Sequence, residues 1–150
     1  MAIRNIVQIG DDTLRKKSFE VTDFGEKTHQ LLDDMKETLL KDYGVGLAAP
    51  QVGVLRRIFI ISYQGQYLEC LNPEFIKKSG EQNGEEACLS VKGKYGGVKR
   101  PYKVKLKAQD RYGNEFVVSA TGFLARAFCH EYDHLDGILY VDRAEYVKEN

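Results

Sequence analysis

The segment His130-Glu131-Tyr132-Asp133-His134 constrains this chain more than any other, because its two imidazoles can meet at one point only if the segment is helical. Residues four apart on a helix lie about 5–6 Å apart on one face. His130 and His134 can therefore share a metal ion, and Glu131 stands where it can reach a water beside that ion. The flanks agree with a helix: Leu124, Phe128 and Leu135 form one stripe from Gly122 onward, and Asp136-Gly137 supplies a stop before Ile138-Leu139-Tyr140-Val141. A helix with an ion site and an apolar stripe must pack against other elements, and the upstream sequence indicates which.

Between residues 57 and 121 the dominant period is two. Arg57 to Ser62 and Gln66 to Leu71 flank Tyr63-Gln64-Gly65, and Phe75 to Lys78 extends the pairing after Asn72-Pro73. Val104, Leu106 and Ala108 alternate with Lys103, Lys105, Lys107 and Gln109, and a Gly113-Asn114 turn leads into Glu115 to Thr121. Antiparallel strands follow. Asp23 and Glu26 have the spacing of a capping pair, and Thr28, Leu31 or Leu32, Met35, Leu39 and Tyr43 predict a helix closing at Gly44. The run from Gly44 to Gly53, broken by glycines and Pro50, reads as strand and loop. The expected fold is α+β, with antiparallel β-sheets packed around a C-terminal helix that carries the histidines, and a long N-terminal helix. One domain spanning 1–150 is expected, large enough to bury about two-thirds of its unfolded surface.

Lys plus Arg and Asp plus Glu balance at 22 each, which argues against a protein built mainly to coat nucleic acid or an anionic membrane. Met1-Ala2-Ile3-Arg4-Asn5 opens no leader, and no apolar run approaches a membrane span. Three cysteines cannot all pair, which fits a reducing compartment and a cytoplasmic protein. Seven Lys or Arg between Lys92 and Lys107 read as a solvated strand face.

Three ligands and an open position mark a catalytic metal site, so a third ligand is needed. No histidine follows His134, which places it upstream. His29 lies in a charged amphipathic helix and reads as a surface residue. Cys70, in a strand, reads as a small buried hydrophobe, and Cys129 points about 100° away from its neighbour His130. Cys88, in Glu85-Glu86-Ala87-Cys88-Leu89-Ser90, is the strongest candidate.

Three motifs stand in one order: Gly44-Val45-Gly46-Leu47-Ala48-Ala49-Pro50-Gln51, Glu86-Ala87-Cys88-Leu89-Ser90 and His130-Glu131-Tyr132-Asp133-His134. In these the chain resembles the peptide deformylases over nearly its whole length. The resemblance implies that Cys88, His130 and His134 hold one divalent ion, iron(II) in the cell, with zinc, nickel or cobalt also compatible with the donors. It implies that Glu131 acts as general acid and base, that the Gln51 side chain and the Leu89 backbone N–H receive an oxyanion, and that Gly46 meets substrate backbone. Phe123 and Ala127 continue the histidine face, where an apolar methionine pocket and plain core packing are the two readings. Asp133 orients a ligand or faces solvent, and Glu86 braces the site. The implied substrate is an N-formylmethionyl polypeptide, handled by a monomer with only transient ribosome contact, since no long C-terminal helix follows the third motif. The family's second motif has glycine where Ala87 stands; a strained or blocked cleft, leaving a non-catalytic metal-binding homologue, is the alternative reading.

Overall fold

The computed structural model describes residues 2–150, so Met1 of the opening stretch lies outside the described residues. Helix α1 spans Glu26–Lys41 and is followed by β1 (Gly46–Ala48), a 3₁₀ turn (Ala49–Val52), β2 (Ile58–Tyr63), β3 (Gln66–Ser79), β4 (Gln82–Cys88) and β5 (Val91–Arg100). Then come β6 (Lys103–Gln109), β7 (Glu115–Thr121), α2 (Gly122–Leu135), a single helical turn α3 (Tyr140–Arg143) and β8 (Tyr146–Glu149). One sheet has the order β1-β2-β3-β6-β7 and the other β4-β5-β8, and their strands pair antiparallel throughout.

Strand β2 explains the layering. Ile58, Phe59, Ile60 and Ile61 are all buried, and successive side chains point to opposite faces. Ile58 and Ile60 pack with Leu31, Leu32, Met35 and Leu39 of α1, while Phe59 and Ile61 pack with Ala125, Phe128 and Leu135 of α2. The large sheet thus carries one helix on each face; the α+β class is as expected, while the face taken by α1 is a finding of the structure.

Helix α1 departs from expectation at both ends. Asp23 does not cap it: its Oδ1 accepts the Gly25 N–H at 2.8 Å, and Gly25 occupies the cap position without a side chain. A lost cap costs about 1 kcal/mol, whereas each buried Leu or Met contributes roughly 2 kcal/mol, so packing on β2 decides. At the other end the Gly44 N–H reaches back to Leu39 O at 3.1 Å and the Tyr43 N–H to Leu40 O at 3.3 Å. This is a Schellman ending. Its left-handed position, which favours glycine, is filled by Tyr43 at φ 54°, at a cost of about 1 kcal/mol.

Strand β3 runs straight through Asn72-Pro73 where a break was expected. The register shifts there, and Asn72 takes φ 50° while its side chain clasps Val21 N and O. Strands β4, β5 and β8 were not anticipated as a sheet, and after the expected stop at Asp136-Gly137 the chain enters α3 at Tyr140.

Candidate metal centre and active site

The β4–β5 hairpin brings Cys88, at the last position of β4, against α2, with Cys88 paired to Val91 across the turn. Its Sγ lies 3.4 Å from His134 Nε2, and the ligand atoms of Cys88, His130 and His134 all fall within 4.8 Å of one another. The two imidazole rings, one helical turn apart, are 5.2 Å between centroids. No other such group of donors is present among the described residues. His29 is accounted for separately, since its Nε2 lies 2.8 Å from Arg111 O, and Cys70 and Cys129 are buried away from the cluster.

Glu86 fixes the chemistry of His130. Its Oε1 lies 2.9 Å from His130 Nδ1 while Arg100 grips it with Nε and Nη2, both at 2.9 Å, and Arg126 Nη1 adds a third bond at 2.7 Å. Burial raises the carboxyl, but Arg100 and His130 outweigh it and hold Glu86 at about 2. An ionised carboxylate only accepts, so His130 Nδ1 carries the hydrogen and Nε2 is left for an ion, an arrangement that also raises the basicity of the ligating nitrogen. Burial, then the charges of His130 and Arg100, hold His134 well below its ordinary value and hence neutral, as a ligand must be. For His130 burial works the other way from its partners, and the Cys88 contact followed by Glu86 and Glu131 wins, holding it well above its ordinary value. In the metal-free cluster that extra proton sits on His130 Nε2, and an ion must displace it to bind. Two imidazoles and a sulfur that turns thiolate on coordination suit a borderline-soft divalent ion, so the residues fit the metal that the sequence implies.

Glu131 is 5 % exposed, and its Oε1 has no hydrogen-bond partner among the described residues. Burial lifts it to about 7, with Glu86 adding and His130 opposing. Gly46 owes its identity to this carboxylate: a Cβ there would sit 2.6 Å from Glu131 Oε2, with no requirement for positive φ. That is a packing role the sequence reading did not weigh. Gly46→Ala is expected to push Glu131 aside and lower kcat by about 10²-fold, since small displacements of a positioned group carry such penalties; steady-state turnover beside circular dichroism would check it, and an unchanged kcat would refute it.

Gln51 is buried at the end of β1, in the 3₁₀ turn. Its Oε1 accepts from Ala48 N at 3.0 Å, and its Nε2 donates to Ser90 Oγ at 3.1 Å and reaches Cys88 Sγ at 3.5 Å. The Leu89 carbonyl accepts from Gln8 Nε2 at 3.0 Å, which fixes that peptide segment beside the cluster. A cleft of about 370 Å³ joins these parts, lined by Gly46, Gln51, Ala87, Leu89, His130 and Glu131, with Phe123 and Ala127 on its helical wall. Ala127 is 9 % exposed, whereas Phe123 is half exposed and rests on Tyr63 at 4.9 Å between ring centroids. Ala87 is exposed at the cleft and does not take positive φ, so its methyl brings no backbone strain.

Sequence reasoning missed Arg100, Arg126, Ser90 and Gln8. Arg100 had been counted with the solvated basic run, yet it is 4 % exposed and bridges Glu86 to Asp133, the latter at 2.7 Å and also held by Arg143. Asp133 is thus buried in an ion network and neither faces solvent nor touches a ligand histidine. The sequence signal for Arg100 is its place two residues after Val98 in an extended run, which puts both side chains on one face of the strand.

Two helix histidines, a strand cysteine and a buried glutamate on one cleft of an α+β scaffold define a metal-dependent hydrolase. Residues 3–150 match the family model for polypeptide deformylase. The chain is 53% identical over 143 residues to a peptide deformylase of Caldicellulosiruptor bescii, covering 95% of this chain and 86% of that one. It superposes on the crystal structure of peptide deformylase from Thermotoga maritima with a TM-score of 0.95 at 35% identity, covering 97% of this chain and 100% of that one. A Met-Ala-Ser-bound class I type b peptide deformylase from Acinetobacter baumannii matches with a TM-score of 0.91 at 34% identity, over 94% of this chain and 98% of that one. The chain belongs to the peptide deformylase family.

Proposed function

We propose that this enzyme removes the formyl group from N-terminal formylmethionine of newly made polypeptides. The observation that carries the reading is the convergence of Cys88, His130 and His134 within 4.8 Å, with the unpartnered Glu131 carboxylate and the Gln51 amide on the same cleft. Cys88, His130 and His134 would hold one divalent ion, which we take to be iron(II) in the cell. When bound, such an ion supplies Lewis acidity to water and to the formyl carbonyl.

The remaining steps fall to the chain. Glu131 takes the proton of the attacking water as the new C–O bond forms at the formyl carbon. Gln51 Nε2, whose weak contact to Cys88 is the bond free to yield, and the Leu89 N–H donate to the oxygen that becomes negative. Removing one such donor typically costs about 3 kcal/mol. The C–N bond then breaks, Glu131 returns its proton to the leaving nitrogen, and formate and a free amino terminus result. Phe123 and Ala127 receive the methionine side chain on the helical wall. An acid near pH 7 suits both halves of the proton cycle. Ala87, unstrained at the cleft edge, supports a catalytic rather than a merely binding role. Three unpaired cysteines support a cytoplasmic setting, and no helix among the described residues is long and apolar enough to cross a membrane.

Formate release from formyl-Met-Ala-Ser, measured without oxygen on protein loaded with iron(II), nickel or zinc, tests the reading. Turnover that depends on the metal supports it, with iron(II) giving the higher rate if thiolate and imidazole are tuned for it. Absence of formate at full metal occupancy would overturn it.

A further inference from the structure

Tyr43 stands at the cleft mouth in a position that its own fold does not reward. It occupies the left-handed site of the Schellman ending, where glycine would be unstrained. The neighbouring Gly44 cannot exchange roles with it, because a Cβ on Gly44 would lie 2.6 Å from Leu39 Cδ1. The two backbone bonds from residues 43 and 44 to Leu40 and Leu39 then fix where the side chain projects. Tyr43 is 94 % exposed, lines the cleft together with Gly44 and Val45, and has neither ring nor hydrogen-bond partner among the described side chains. An exposed aromatic on a strained, hydrogen-bonded backbone gains nothing from packing in the free protein.

We propose that Tyr43 is a specificity-determining residue that packs on a bulky apolar or aromatic side chain following formylmethionine. The inference rests on the deformylase reading. With the formyl carbon at Glu131 and the methionine side chain against Phe123 and Ala127, the rest of the peptide leaves through the mouth where Tyr43 stands. Its ring is preplaced, so contact costs little ordering, and aromatic pairs add modest energy beyond area burial.

The test is the ratio of kcat/KM for formyl-Met-Phe-Ser to that for formyl-Met-Ala-Ser in the wild type, Tyr43→Phe and Tyr43→Gly. Tyr43→Gly is expected to lower the ratio about fivefold, Tyr43→Phe to keep it, and the unfolding midpoint of Tyr43→Gly to rise by about 3 °C as the strain is relieved. A ratio unchanged in Tyr43→Gly overturns the proposal, and so does a lowered midpoint, which would make the tyrosine structural. If the wild type releases formate from neither peptide, it is the deformylase reading that fails.

Discussion

Glu131→Gln is expected to lower kcat for formate release by about 10²–10⁴-fold at unchanged metal content, and to make the metal-free protein more stable above neutral pH. The amide keeps the shape of the carboxyl but cannot take up a proton. The stability gain follows from burial, which lifts Glu131 from 4.5 to about 7. A carboxyl raised in the folded state binds its proton more tightly there than in the unfolded chain. Its favourable contribution is full below 4.5 and is lost as pH rises through about 7. The difference is on the order of 3 kcal/mol, and glutamine does not incur it. Urea unfolding of metal-free protein at pH 5 and pH 8.5 should show the wild type losing stability across that interval and the variant losing less. Parallel behaviour would remove the buried-acid account, and an undiminished kcat would remove Glu131 from proton transfer.

Glu86→Ala acts on the opposite kind of carboxylate. Glu86 accepts from His130, Arg100 and Arg126 at once, and both arginines are nearly inaccessible. Its loss leaves the Arg126 guanidinium without a charge partner in the interior and Arg100 with Asp133 alone, a change that costs about 3–5 kcal/mol and lowers the unfolding midpoint by about 10 °C. It also frees the His130 ring, and metal affinity should fall about 10–100-fold. The pH signature has the reverse sign. Glu86 sits at about 2 when folded, so its contribution is present above the unfolded value of 4.5 and disappears as pH falls towards 2. Thermal scans and competitive metal titration measure both effects; a midpoint within about 2 °C of wild type, the range of ordinary surface changes, would show that the arginines find other partners.

The helix carrying the histidines was legible because periodicity and ligand spacing coincide there, and the large sheet because Val104, Leu106 and Ala108 alternate cleanly with lysines. The small sheet was not. In β5, Gly96 and Gly97 give no alternating pattern to read, yet their missing side chains admit Tyr146 of β8: a Cβ on Gly96 would lie 2.6 Å from Tyr146 O. That Cys88, His130 and His134 converge was legible from the histidine spacing, from Cys88 as the strongest upstream candidate and from the resemblance of the three motifs. What surrounds it was hidden for a physical reason, since Arg100 and Arg126 are charged residues that become interior only because Glu86 and Asp133 meet them from distant elements. Charge in one sequence says nothing about the counter-charge that folding brings.

Residues 7–9 offer one more consequence. Val7 N donates to Gln51 O at 2.7 Å, Gln8 Nε2 to Leu89 O at 3.0 Å, and Ile9 N to Ser90 O at 2.8 Å. Three consecutive residues thus stitch together the two cleft walls that bear Gln51 and Leu89. A substitution near the amino terminus, far from any motif, would register in assays as an active-site lesion, because Gln8 and Ile9 find their partners only in a hairpin some eighty residues further along the chain.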